Sequence, residues 1–477
     1  MDPSSLTGDN TNASHQKQNP ESDFAYTAQV ISSLLNGEAK MKIDEASLTV
    51  TMLFDAVEIP YVNMLAFVFT DYSITVETRE ENYTFSRMGQ WAQPFFDALR
   101  SAYNKAVLRS LFIKGEPLLT AKGNYQYNEN NTIINGTAPI YLYENCVVTL
   151  PPNSSARRVP FCFVDSMDNG DYKLTLKLNT GESYSYAKLG YNTDFFTNTV
   201  KKQIRKLHEK SLATVKELAP SLTLAAASRI ARFMLEGTAV PIGRLAAIAP
   251  SFVTSLEEKL SATRAADSYK VFKEQCNPTQ IYIGFRKNES EKNSYHLTDT
   301  LNNILTFGNN PEKIEKETTA PDQYLLWLIA PSPDGQFAAM EFAVADTATF
   351  IYRTDGNFDR FAQQLSRALE AIDFKREVIR LSNEELYKPE NADYYMASER
   401  TIALQFVRSR FVGRVIHSNF ETWKHKLTEL WSSTLTSQPP VTSVTQVNPK
   451  FCTACGAALS TGVRFCGNCG TKIKETT

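Results

Sequence analysis

Hydrophobic and polar positions change rhythm along this chain, and the rhythm marks its elements. Lys173–Leu178 reads KLTLKL, which alternates polar and apolar as a half-buried strand does. Ile140 and Leu142 alternate likewise. NGD at 169–171 and NTG at 179–181 are hairpin turn signals on either side of the KLTLKL segment. A helical period takes over at Phe95, Phe96, Leu99, Tyr103 and Val107, with Pro94 near the start. The same period returns at Phe196, Val200, Ile204 and Leu207. Each run predicts an amphipathic helix. The opposite face of the second is basic, with Lys201, Lys202, Arg205, Lys206 and Lys210.

The same signals occur twice at one offset. Ile59-Pro60-Tyr61 answers Val159-Pro160-Phe161, and Asp71-Tyr72 answers Asp171-Tyr172. Tyr83 and Phe85 answer Tyr184 and Tyr186, Gly89 answers Gly190, and Phe95 answers Phe196. The offset is 100–101 residues throughout this stretch. Chance does not hold one spacing across so many residue types, so residues 23–115 and 116–216 are expected to be two copies of one unit.

Residues 217–275 are Ala-rich and predict two or three helices broken at Gly237 and Pro241. Alternating or apolar segments return at 280–285, 324–329, 336–342 and 347–353. A helix then shows Phe358, Phe361, Leu365, Leu369 and Ile372 on one face. Strands followed by one helix suggest a diverged third unit over 276–376. Residues 377–431 read as further helices anchored by Trp423 and Trp431. Residues 1–22 are polar and Asn/Ser-rich, as a disordered arm is. Residues 432–449 are uncharged and rich in Ser, Thr and Pro, as a flexible linker is, with a reach of roughly 20–25 Å.

A bent antiparallel sheet closed by one C-terminal helix, in a unit of this length, resembles the pleckstrin-homology (PH-like) superfold. The expected class is therefore α+β: tandem PH-like units, a helical insert, and a small C-terminal module at 450–477.

That module carries the sharpest chemistry. Four of the seven cysteines, Cys452, Cys455, Cys466 and Cys469, stand as two C-x-x-C pairs, FCTACG and FCGNCG. Each pair brings two thiolates to one side of a tight turn, and Gly456 and Gly470 let the backbone fold back towards the sulfurs. Two such knuckles supply a tetrahedron of soft ligands, which suits Zn²⁺. The segment resembles the zinc-ribbon modules of many bacterial proteins, with Leu459-Ser-Thr-Gly462 matching their spacer. The resemblance implies one structural zinc held by four thiolates, with no open position for Lewis-acid chemistry. Cys146, Cys162 and Cys276 sit among apolar neighbours and read as buried thiols in a reducing compartment.

Composition narrows the functional classes. The chain has 477 residues, too many for one core, and a formal charge of -2, which argues against a polyanion binder overall. No secretion signal or membrane-length apolar run is read from it, so a cytoplasmic location is expected. Five histidines leave little material for His-based catalysis, and no Gly-rich phosphate loop, H-E-x-x-H or G-x-S-x-G occurs. The expectation is a non-enzymatic scaffold or adaptor with a protein partner and no small-molecule substrate. The alternatives are an anionic membrane surface, met through Arg157, Arg158 and the 201–210 face, and nucleic acid, met through the basic 399–426 stretch.

Overall fold

A computed structural model describes residues 26–263, 265–287, 324–343, 348–417, 419–432, 450–451 and 458–459. The arm expected at 1–22, nearly all of the 432–449 linker and the four paired cysteines lie outside these residues. The chain divides into two compact units. The first runs to Gln203 and adds Ala371–Asp373 and Leu381–Thr401, and the second holds the rest. The class is α+β, built on antiparallel sheets and many helices.

The first unit contains two sheets of seven strands each. The strands of one are β1 (Tyr26–Ile31), β2 (Asn36–Ile43), β3 (Ser47–Thr51), β4 (Ala56–Pro60), β5 (Met64–Thr70), β6 (Ser73–Thr78) and β7 (Asn82–Ser86). Those of the other are β8 (Leu119–Glu129), β9 (Thr132–Leu142), β10 (Cys146–Thr149), β11 (Arg157–Pro160), β12 (Val164–Gly170), β13 (Lys173–Leu178) and β14 (Ser183–Ala187). Their orders are β4-β3-β2-β1-β7-β6-β5 and β11-β10-β9-β8-β14-β13-β12, one topology used twice. Helix α1 (Ala92–Ser110) follows the first sheet and α2 (Thr193–Leu218) the second.

The likeness extends to single residues. Pro60 and Pro160 each end a strand and open a one-turn helix. The amides of Tyr61 and Phe161 donate to Ala46 O and Asn145 O, both at 2.9 Å. A register shift breaks both following ladders, at Met64/Ala66 and at Val164/Ser166. The β5–β6 and β12–β13 hairpins turn on two residues with positive φ: Asp71 (51°) and Tyr72 (56°), then Asp171 (52°) and Tyr172 (56°). That is the primed turn whose twist suits a tight hairpin. The turn signalled by NGD at 169–171 is centred on Asp171-Tyr172, because Gly170 still pairs with Lys173. Phe95 and Phe196 are both fully buried beneath their sheets.

Residues 381–401 complete the first unit's core. Helix α8 (Ala392–Arg400) buries Met396 in the cluster that holds Phe67, Phe95 and Tyr103. Arg400 is itself buried, and donates to Tyr103 Oη at 2.9 Å and to Met396 O at 3.0 Å. Arg79 bonds Glu399 at 2.8 Å and Arg109 bonds Asp393 at 2.7 Å.

The second unit is organised differently. Its strands are β15 (Ala239–Pro241), β16 (Tyr282–Lys287), β17 (Tyr324–Pro331), β18 (Phe337–Phe342), β19 (Ala348–Arg353) and β20 (Phe411–Ile416), in that order across one antiparallel sheet. A third copy would show the interleaved order of the first two sheets, and would lie within 276–376. This sheet is a plain meander whose outer strands come from outside that span. β17, β18 and β19 are buried almost throughout. Leu326, Leu328 and Ala330 face one core with Trp423 and Trp431, while Trp327 packs on Phe374 at 4.8 Å and Tyr352 on Phe361 at 5.3 Å. With both faces covered, alternation disappears from the sequence. Gly284 is required beneath Trp327, where a Cβ would stand 2.3 Å from the indole ring.

Helices α3 (Leu224–Ala231), α4 (Ile242–Ile248), α5 (Pro250–Ser261) and α6 (Ala266–Gln275) precede the sheet's long strands. α7 (Phe358–Ala371) follows β19, and α9 (Ile402–Arg410) and α10 (Phe420–Ser432) flank β20. The expected break at 237–241 is therefore strand β15. No helix among the described residues is long and apolar enough to cross a membrane.

Candidate metal centre

The ribbon segment begins with a described feature. Strand β21 (Lys450–Phe451) pairs antiparallel with β22 (Ala458–Leu459), Lys450 opposite Leu459 and Phe451 opposite Ala458. These strands flank Cys452 and Cys455 in sequence. The four cysteines lie outside the described residues, so the centre rests on donor chemistry. Four thiols in two C-x-x-C pairs are the donor set that a closed zinc site takes. Among the described residues no group of three or more His, Cys, Asp or Glu side chains is placed to hold a metal.

The other thiols lie in the two units. Cys146 is fully buried, and Cys162 is half-buried. Cys276 donates to Phe272 O at 3.0 Å, and burial pushes its thiol up to about 12. That thiol is a poor nucleophile at neutral pH.

Two arginines read from the sequence as surface cations are interior. Arg157 and Arg158 are each 8% exposed. The Arg157 guanidinium meets Glu129 through Nε at 3.0 and 3.1 Å and through Nη2 at 3.0 Å. Tyr184 Oη donates to the same carboxylate at 2.8 Å. Burial alone would lower the arginine's pKa, but the Glu129 charge and its hydrogen bonds outweigh burial and raise it. Arg157 is thus committed to β8 and unavailable to an anionic surface. Sequence reading missed this because Glu129 lies 28 residues away.

The basic 399–426 stretch is not one helical face either. It runs from the end of α8 through α9, β20 and part of α10. Arg400 is buried, Arg408 donates to Val378 O, and Arg410 pairs with Asp355 at 2.6 Å. Lys424 lies 3.5 Å from Glu274. Lys201, Lys202, Arg205, Lys206 and Lys210 are exposed, as expected.

One histidine belongs to a cluster. His417 Nε2 lies 3.0 Å from Glu341 Oε1, and its ring stacks on Trp423 with centroids 5.1 Å apart. Thr349 Oγ1 donates to Glu341 at 2.5 Å and accepts from Trp423 Nε1 at 2.8 Å. The hydroxyl proton is spent on the carboxylate, and the indole occupies an oxygen lone pair. This arrangement pins α10 to the sheet, a positioning role.

The zinc-ribbon domain family matches residues 451–473 and takes in all four cysteines. The match implies a zinc-binding module. No curated protein matches the chain. Among solved structures, the structure of the Spt16D Pob3N heterodimer contains a similar chain, at 8% identity and a TM-score of 0.15. That likeness covers 33% of this chain and 84% of that one.

Proposed function

We propose that the chain is a non-enzymatic zinc-binding adaptor of the cytoplasm. Its first unit is read as two PH-like modules, supported by sheets of identical strand order that each lead into one helix. Cys452, Cys455, Cys466 and Cys469 hold one structural Zn²⁺, which supplies the folding energy that a ribbon of this size cannot draw from a core. The partner is a protein.

One comparison carries the adaptor reading. The two sheets end in equivalent edge strands, β5 and β12, with different neighbours. An extended segment lies along β5: Phe67 N–H donates to Pro152 O at 3.1 Å and Ser154 N–H to Leu65 O at 2.8 Å, with Ala66 bridged to Asn153. In the matching register Met167 N–H and Asp165 C=O point outward from β12. No hydrogen bond to them from outside the sheet is found among the described residues. The β12 edge is exposed along most of its length. Strand addition to such an edge is a general way of holding a peptide. Asp165 and Asp168 favour an extended segment with basic side chains.

The test is selection of displayed peptides on the immobilised full chain, followed by hydrogen exchange with a selected peptide. The reading expects basic, extended peptides that slow exchange at Met167. Met167→Pro removes an outward donor without touching the β13 ladder, and should abolish binding while leaving the fold intact. Peptides that bind equally well to the proline variant would refute the edge site.

A further inference from the structure

In the second unit three arginines converge with no carboxylate among them. Arg229, Arg232 and Arg244 line an open pocket of about 310 Å³ with Phe233, Ala247 and Ile248. The Arg244 guanidinium lies 3.5 Å from the centre of the Phe233 ring. All three arginines are exposed, and none makes an ion pair among the described residues.

Two of the three have a structural reason to be there. Arg229 stands in the last turn of α3 and Arg232 caps it, where cations offset the negative end of the helix dipole. Arg244 has no such reason. It is the third residue of α4, at the end where a cation is disfavoured, and it brings like charge towards the other two. A cation–π contact with Phe233 consumes none of the guanidinium's N–H donors, and Arg244 lines the pocket. Three planar donors facing one small cavity match the oxygens of a compact dianion. Ala247 and Ile248 add an apolar wall that suits the carbon attached to such a group.

We propose that this pocket binds a phosphate monoester, borne by a soluble metabolite or by a lipid headgroup. The pocket's lining residues belong neither to β12 nor to the ribbon segment, and the proposal does not depend on either.

Calorimetric titration of the full chain with glycerol 3-phosphate tests the soluble source. Sedimentation with phosphatidylcholine vesicles doped with phosphatidic acid tests the lipid source, with phosphatidylserine vesicles of matched charge as control. Binding of glycerol 3-phosphate alone assigns the soluble source, and selective recruitment to phosphatidic acid assigns the lipid one. Either supports the proposal if Arg244→Gln weakens it about tenfold and the triple Arg229→Gln/Arg232→Gln/Arg244→Gln variant abolishes it. Circular dichroism checks that the variants remain folded. Lys201→Gln/Lys202→Gln/Lys206→Gln removes as much charge elsewhere and should change nothing. Loss of binding in that control instead, equal recruitment to phosphatidylserine, or binding of a phosphoserine peptide with neither other probe bound, overturns the proposal. Absence of binding to every probe overturns it too.

Discussion

Arg157→Met is the most informative single change in the first unit. The substitution removes a guanidinium that makes three short contacts to Glu129, whose side chain is 2% exposed. Methionine fills a similar volume, so packing is largely kept. What remains is a buried carboxylate that still accepts from Tyr184 Oη at 2.8 Å but has lost its counter-charge. Leaving one member of a buried pair without its partner costs about 3–5 kcal/mol. For a unit of this size each kcal/mol moves the melting temperature by about 2–4 °C, so a drop on the order of 10 °C is expected. Glu129→Leu alone should be similarly costly, because it strands the guanidinium. Glu129→Leu/Arg157→Met removes both charges and should recover most of the loss. Differential scanning calorimetry of the four proteins completes a double-mutant cycle, with an expected coupling of about 3 kcal/mol. A loss below about 1 kcal/mol in either single variant would show that water reaches the pair. A double variant as damaged as the sum of the singles would show that the two charges act independently. Either result would refute the reading of Arg157 as a committed interior residue.

Elemental analysis should find about one zinc per chain, and Cys466→Ser should lose most of it. Less than about half an equivalent after metal-replete expression would defeat the ribbon assignment. Deleting 450–477 should shift the main melting transition by only about a degree or two, whereas a large drop would make the ribbon part of the body's stability. Gly284→Ala should cost about 1–3 kcal/mol in denaturant unfolding, because the new methyl has to displace the Trp327 ring. A neutral result would mean that the indole moves freely. Cys276, with its thiol pushed up to about 12, should resist iodoacetamide at mildly alkaline pH and react once the chain is unfolded. Rapid labelling of the native chain at that residue would contradict its burial.

The repeat was legible because its punctuation was copied. Proline at the strand end, Asp-Tyr at the hairpin and glycine before the helix each mark a backbone turn, and turns constrain residue type more tightly than strands do. Gly89 and Gly190 both take positive φ, at 55° and 62°. The zinc motif was legible because ligand spacing is local. The second unit's sheet was harder to read for a physical reason. Its central strands are covered on both faces, so YLLWLIAP and FAAMEF carry no alternation to count. Strand β20, FVGRVI, was hidden inside a stretch whose arginines drew attention to charge. The candidate surfaces failed for a related reason. Charge in a sequence does not say where a side chain ends, and both Arg157 and Arg400 end in the interior.

The different fates of the two sheet edges follow from one loop. In the first sheet the β3–β4 ladder ends at Thr51 opposite Ala56, so the loop between them is residues 52–55. In the second the β10–β11 ladder stops at Thr149 opposite Arg157, so the loop is longer, residues 150–156. It carries Pro151 and Pro152, which favour an extended backbone and donate no hydrogen bonds of their own. That loop lies on β5 and supplies the acceptor for Phe67 and the donor for Leu65. The second copy therefore satisfies the edge of the first, and the pair of modules is left with β12 in its place. β5 reads MLAFVFT and β12 reads VDSMDNG. The covered edge is apolar, as an internal joint can be, and the open one is acidic, as a solvated edge should be. Acidic side chains on β12 repel the same edge of another copy, which keeps an exposed strand from templating self-association. In the proposed edge site the same charges favour a basic segment, so that proposal draws protection against aggregation and choice of partner from the same residues.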